Sequence, residues 1–436
     1  MPLPLQISYL CDSPQRTFNV KKVVIIGAGF GGISIAKSLK NKGVQVVLID
    51  EHNYHNFQPL MYQVATGGLE PSSIAYPVRR IFRKHRNFSF RLAKVQGVNT
   101  EHNTLDTSIG EITFDYLVIA TGSQNNFFNF EPIKDKLLTL KSIPDSLKLR
   151  DVVFRNLEKA LAENRRSPLE EIMNIAIVGG GPAGIELAGA LAEMRRFVLP
   201  RDFPDLDLTK MNIHLYEASP KLLGAMSEEA SVKSLQYLQE LDIDVNLNSR
   251  VTKYDGATLE LEDGTSFSTD TVVWTAGVKG AHIDGLPEGV IVGGGRIAVD
   301  EYNRVAGCEA IFAIGDVATH ITEADPRGLP MLAPVAQQQG ITLAKNILNL
   351  AKDSPLEAFS YNDKGSMAAV GRRKAVVDLP RFKFQGTFAW IVWMFIHILS
   401  LVGFRNKFVA FYDWTSNYFT YDRPLGLIIG DDKKTP

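Results

Sequence analysis

A chain of 436 residues has room for two to four domains at roughly 100 to 200 residues each, so it is not a small stapled scaffold. Apolar residues at 45% and charged residues at 22% exclude long disorder, collagen-like repeats and a bundle of membrane helices. With 47 Lys and Arg against 48 Asp and Glu, the net charge of -1 gives no overall footprint for nucleic acid.

The first twenty residues contain Arg16 but no basic start followed by an apolar core, so no secretory signal is expected. Cys11 and Cys308 are the two cysteines, and their isolation excludes a disulfide framework, a Cys-rich zinc site and a CxxC redox pair. A reducing setting on the cytoplasmic side is the expectation.

Val20 to Asp50 reads as a βαβ unit: an apolar strand through Ile26, the turn Gly27-Ala28-Gly29-Phe30-Gly31-Gly32, a helix to Asn41 and a second apolar strand. In this G-x-G-x-x-G turn, Gly27 permits the tight bend, Gly29 lets a pyrophosphate approach the backbone, and Gly32 lets the helix lie against the sheet. Free N–H groups at the helix start suit phosphate. Asp50 lies 23 residues after Gly27, at a strand tip, placed to accept hydrogen bonds from a ribose diol.

The pattern returns. Asn174 to Val178 forms a strand, Gly179-Gly180-Gly181-Pro182-Ala183-Gly184 a second turn, then come a helix through Arg196 and a strand from Asn212 to Glu217. The 38 residues from Gly179 to Glu217 include a polar stretch, Phe197 to Lys210, read as an insertion. Glu217 is expected to bond an adenosine ribose and repel a 2'-phosphate, favouring NADH over NADPH. Each unit is echoed about 155 residues apart by a strand and small-residue turn, Tyr116 to Gly122 with Ala120, Thr121 and Gly122, and Thr271 to Gly277 with Ala276 and Gly277. A later strand, Ile311 to Ile314, ends in Gly315-Asp316, where Asp316 suits the hydroxyls of a second cofactor segment or a helix N-cap.

From Phe382 to Tyr421 there are 14 aromatics in 40 residues, and Arg372 to Arg423 carries eight basic against three acidic residues. That local charge of +5 leaves -6 for the rest. Thr387 to Phe404 is 18 uncharged residues, about 27 Å as a helix and at the lower limit for a bilayer span. Basic residues flank it on both sides (Arg381 and Lys383, Arg405 and Lys407), and a softer polar stripe runs through Thr387, Trp390, His397 and Ser400. Phe404, Phe408, Phe411, Tyr418 and Phe419 follow near helical spacing. Two in-plane amphipathic helices with aromatic anchors are expected, rather than a span.

The order of these motifs resembles the two-dinucleotide-binding-domain flavoproteins, and within them the type II NADH:quinone oxidoreductases. The specific matches are Asn53 to Gly67 (NYHNFQPLMYQVATG), Gly184-Ile185-Glu186-Leu187-Ala188-Gly189, Ala333 to Gly340 (APVAQQQG) and Gly403-Phe404-Arg405-Asn406, within a likeness that covers Lys21 to Ile429. The resemblance implies an α/β fold with two Rossmann-like domains, for FAD and NADH, and a C-terminal amphipathic membrane anchor. The expected division is 20–145 and 291–380 for FAD, 146–290 for NADH and 381–430 for the anchor. Non-covalent FAD would meet Gly27, Gly29, Phe30, Gly31, Gly32, Asp50, Ala120, Thr121, Gly122 and Asp316. NADH would meet Gly179, Gly181, Pro182, Gly184, Glu217, Ala276 and Gly277.

Glu186 matches a family glutamate close to the nicotinamide and flavin, and Gln338 a glutamine facing the quinone pocket. Pro334 stands where many members have a glutamine, so a second amide contact cannot come from that position. His55 is read as structural. No metal-ligand spacing occurs among the eight histidines. The expected activity is NADH oxidation with two electrons passed through flavin to a membrane quinone such as ubiquinone, without proton pumping, by a homodimer held peripherally on the cytoplasmic face of the inner or plasma membrane. A soluble NAD(P)H:acceptor reductase and a membrane-associated redox sensor are the alternatives; disulfide and sulfide enzymes need paired cysteines.

Overall fold

Unbroken runs of branched apolar residues belong in parallel strands covered on both faces, and the two runs bracketing the chain's first half sit at the centres of two parallel sheets. The computed structural model describes residues 20–163, 169–323, 326–420 and 426–428. Strand β1 (Lys22–Ile26) is followed by α1 (Phe30–Ser38), β2 (Gln45–Asp50), β3 (Phe88–Leu92) and β4 (Tyr116–Ile119). A long helix, α2 (Ile143–Glu163), leads to β5 (Ile175–Val178), α3 (Pro182–Phe197), β6 (Ile213–Tyr216), β7 (Asp244–Asn246) and β8 (Thr271–Trp274). The chain then returns through β9 (Ile311–Ala313) and α4 (Ala333–Leu350).

The sheet orders are β9-β4-β1-β2-β3 and β7-β6-β5-β8. Aligning β5 with β1 makes the second order a repeat of β3-β2-β1-β4, so the duplication legible in the sequence extends to strand order. All pairings in both sheets are parallel. The chain crosses between domains twice, and the crossings pair antiparallel, Ser123 opposite Gly280 and Asn125 opposite Val278. The Phe197 to Lys210 stretch does intervene between α3 and β6, with helical turns at Leu199–Asp202 and Leu208–Lys210.

One expected boundary moves. Residues 366–380 do not join the FAD domain: β10 (Ser366–Gly371), β11 (Lys374–Asp378) and β12 (Lys383–Gln385) form an antiparallel sheet packed against α3. The reason is a small-residue face on that helix. A Cβ built on Gly189 would lie 1.5 Å from the Val370 carbonyl oxygen, so only glycine lets strand and helix approach this closely. Gly189→Ala is expected to lower stability by about 1–3 kcal/mol or more; urea unfolding that matches the wild type would contradict this packing.

Two helices close the described chain, α5 (Thr387–Ser400) and α6 (Phe404–Thr420). Their inward residues Ala389, Trp393, Ala410 and Trp414, with Leu401 between the helices, join the largest core cluster. Buried Asn406 donates to the Ala75 carbonyl at 3.0 Å, and Gly403 lies against the Tyr76 ring, which gives the Gly403 to Asn406 motif its structural role. Outward stand Phe388, Ile391, Phe395, Leu399, Phe404, Phe408, Phe411 and Tyr412, with Phe404 85% exposed. The side chains of Tyr418 and Phe419 lie outside the described residues, as does Cys11. Among the described residues no helix is long and apolar enough to cross a membrane. The softer polar stripe is redistributed: Trp390 and His397 pack toward the core and Ser400 bonds back to Ile396 O.

Candidate active site

The two glycine turns share one backbone geometry. Gly27 (φ +102°) and Gly179 (φ +115°) adopt conformations that glycine alone takes readily, and a Cβ on either would strike Ala120 O at 2.3 Å or Ala276 Cα at 2.7 Å. The backbone at Ala120 and Ala276 therefore runs hard against each turn. Gly32 and Gly184 bring each helix against its strand, where a Cβ would meet the carbonyl of Gly27 or Gly179 at 1.8 and 1.9 Å.

Asp50 accepts from the Ala28 N–H at 2.6 Å and the His52 N–H at 2.7 Å. Glu217 accepts from Gly180 N–H at 2.6 Å and Ser219 N–H at 2.8 Å. Each acid therefore braces its own turn with one bond per oxygen. A carboxylate has about four acceptor sites, so two are left for a ribose diol. Burial raises the Asp50 pKa, and the two N–H bonds oppose the rise.

These features fit a dinucleotide in each domain. Beside Gly29 and Gly181 there is nothing within 4 Å of a built Cβ, and both glycines cap helix N-termini that have no side-chain cap. The open space and the unpaired N–H groups are what a pyrophosphate takes up. Pro182 occupies the first turn of α3, where its missing N–H is not needed. In the second domain a cleft of about 290 Å³ is lined by Gly179, Gly181, Glu217, Ala276 and Gly277, joined by Lys221, which the sequence reading did not single out.

Phe30, Gly31 and the surrounding loop are held by His55. Its Nδ1–H donates to Ala28 O at 2.8 Å, its ring meets Phe30 edge-on at 5.3 Å, and burial lowers its pKa. The expected structural role agrees with a neutral, buried imidazole. Gly31 faces Ile314 and the Ala336 carbonyl, so α4 abuts the first turn. The Thr121 hydroxyl donates to Ala281 O at 2.5 Å and Ala281 N–H to Gly122 O at 3.0 Å, which ties these residues to the returning crossover. Asp316 lies in the turn after β9, where Gly315 N–H donates to Gln339 Oε1 at 2.7 Å.

Gln338 lies in the second turn of α4. Its amide is engaged at both ends by Asn362, Nε2 donating to the carbonyl and Oε1 accepting from the N–H, each at 3.0 Å, and it does not line the cavity beside Glu186. In this structure it fastens the loop before β10. The amide that does line that cavity is Gln63, inside the Asn53 to Gly67 motif.

Glu186 lies in the second turn of α3, 8% exposed. Burial pushes its pKa up to about 8; the Ala369 N–H at 3.3 Å and the Trp393 indole pull weakly the other way. It opens on a cavity of about 80 Å³, enough for several waters, whose walls include Tyr62, Gln63, Glu193, Trp390, Trp393 and Trp414. The buried indole N–H of Trp414 has no hydrogen-bond partner among the described residues, and that of Trp393 lies near the Glu186 carboxyl in poor hydrogen-bond geometry. His397 stacks on Trp393 at 4.2 Å, its pKa lowered by burial to about 4.

The family description of the pyridine nucleotide-disulphide oxidoreductases matches residues 21–340, and that of the NDH2 C-terminal domain matches residues 364–421. Two type II NADH:quinone oxidoreductases of Mycobacterium tuberculosis, NdhA and Ndh, are each 32% identical, with 90% and 92% of this chain and 86% and 89% of theirs covered. The chain belongs to the type II NADH:quinone oxidoreductases. A relative from Haemophilus influenzae is 31% identical over 83% of this chain and 87% of its own length. The structure of NDH2 from Plasmodium falciparum in complex with NADH shares the fold, with a TM-score of 0.86 at 21% identity over 93% of this chain and 99% of that one. The start of the C-terminal match at 364 agrees with the β10–β12 sheet belonging to the tail.

Type II NADH:quinone oxidoreductases of this kind use flavin as cofactor and NADH as substrate. Glu217→Gln is expected to weaken NADH about tenfold, roughly 1.4 kcal/mol, and to raise the NADPH-to-NADH preference by removing charge repulsion at the 2'-phosphate. Competition binding of the two nucleotides reads both effects; an unchanged preference would contradict the role of Glu217.

Proposed function

We propose that this chain oxidises NADH at non-covalently bound FAD and delivers two electrons to a membrane quinone without moving protons across the bilayer. One observation carries this reading: the Glu186 cavity is walled in part by the same two helices whose outer faces are bare aromatic surface. FAD, when bound, supplies the acceptance of two electrons from nicotinamide and their release to quinone, chemistry that no side chain here provides.

The protein's own part is placement, exclusion of water and proton supply. The turn N–H groups and the braced acids Asp50 and Glu217 fix the two nucleotides. Helix α3 starts at the NADH turn and carries Glu186 into the cavity, where a carboxyl that stays protonated to about pH 8 can donate a proton to a quinone oxygen. Trp390, Trp393 and Trp414 screen that cavity from the lipid side.

A peripheral position on the cytoplasmic face belongs to the same reading, since that side supplies NADH and the apolar tail face needs lipid. A homodimer is the expected assembly, which the mass in solution reads. The test of the activity is optical: anaerobic NADH should bleach the yellow flavin absorption, and a short-chain quinone should restore it. Protein that does not bleach would overturn the proposal.

A further inference from the structure

A lysine near the Asp316 turn is unused by the chemistry above. Lys141 Nζ donates to Ser123 Oγ at 2.8 Å, and Ser123 Oγ donates to Asp316 Oδ2 at 2.6 Å. The three residues come from three places: the cap preceding α2, the first crossover strand and the turn after β9. Their positions are firmly held. Lys141 and Ser142 N–H both donate to Asp145 Oδ2, at 3.1 and 3.0 Å, while Asp145 N–H donates back to Ser142 Oγ at 3.2 Å, a reciprocal helix cap. Ser123 is fixed by pairing with Gly280 on the second crossover.

A purely structural ion pair would bring ammonium and carboxylate into contact. Here a serine stands between them. Lys141 has three N–H donors and uses one among the described residues, and Asp316 Oδ1 has no described partner while Oδ2 is taken. Desolvation lowers the Lys141 pKa, with the Asp316 charge opposing it, as for an ammonium drawn out of water toward an acceptor. The outcome is spare N–H donors and a spare carboxylate oxygen joined through one hydroxyl, a pattern that complements a run of neighbouring hydroxyls, each able to give and take a hydrogen bond.

We propose that Lys141 is a cofactor-binding residue that acts with Asp316, through Ser123, on the polyol chain of FAD. The proposal rests on the flavoprotein reading above. It also gives the first crossover a function, since Lys141 belongs to the segment leading into the NADH domain while Asp316 belongs to the FAD domain.

The experiment measures FAD dissociation from full-length protein by the fluorescence of released flavin, with apo-protein melting and NADH binding as controls for folding. Lys141→Met is expected to raise the FAD Kd about tenfold or more, Lys141→Arg to recover most of that loss, and Ser123→Ala to fall between. Lys141→Met combined with Asp316→Asn is expected to be little worse than Asp316→Asn alone, because both disable one unit. An FAD Kd within about twofold of wild type for both Lys141→Met and Ser123→Ala, or losses that multiply in the double variant, would overturn the proposal. If Lys141→Met does not fold, the Ser123→Ala result decides alone. Wild-type protein that binds no FAD would remove the flavoprotein reading itself, a distinct outcome.

Discussion

Glutamate at Phe388, Phe395 and Phe404 together should move the protein from washed membranes or vesicles into the soluble fraction while leaving its unfolding curve nearly unchanged. The three rings are 65%, 60% and 85% exposed, so they contribute little to the folded core. At a lipid interface, burying even half of each contributes about 1 kcal/mol, or roughly 3 kcal/mol in all and more than a hundredfold in partitioning. Glutamate adds charge repulsion from anionic lipid. Retention on vesicles by the triple variant would contradict the anchor. Deleting everything from Gly386 onward is a poorer test. That cut also removes Trp393, Leu401 and Trp414 from the core, so release and unfolding would be confounded.

Glu186→Gln should flatten the dependence of stability on pH. The folded carboxyl holds its proton to about pH 8 whereas the ordinary value is 4.5, so between those limits the folded state binds a proton that the unfolded chain has released. This contribution is fully present below about pH 4.5 and declines as pH rises toward about 8, by at most about 1.4 kcal/mol per pH unit. Glutamine does not titrate, so the difference between the two unfolding profiles should open in favour of the variant as pH rises through this window. The same substitution should leave flavin bleaching by NADH nearly intact and slow reoxidation by quinone, because it removes a proton donor and leaves the nucleotide turns untouched. Parallel pH profiles, together with unchanged quinone reoxidation, would remove Glu186 from the mechanism.

The glycine turns were legible in the sequence because backbone geometry admits no substitute: a Cβ at Gly27 or Gly184 collides with a carbonyl less than 2.5 Å away. Asp50 and Glu217 were legible by position at strand tips. Their second task, accepting two backbone N–H groups each, was hidden because main-chain donors leave no trace in residue identity. Amphipathic spacing announced the tail helices, yet which face turned inward depended on Asn406 reaching Ala75, a contact across 331 positions. Strands β10 and β11 looked like a continuation of the FAD domain for a similar reason, since what claims them is the small-residue face of α3. Gln338 and Lys141 show the same limit from opposite sides. The Gln338 amide is engaged by Asn362, and one lysine with no motif around it reaches Asp316 through Ser123.

The most direct test of the account uses protein bound to sealed vesicles, with NADH outside, a long-chain quinone in the bilayer and a potential-sensitive dye. NADH should be consumed in proportion to the quinone present, with no membrane potential developing, and omitting the quinone should stop the reaction. Oxidation independent of bilayer quinone, or a potential that builds with turnover, would contradict it.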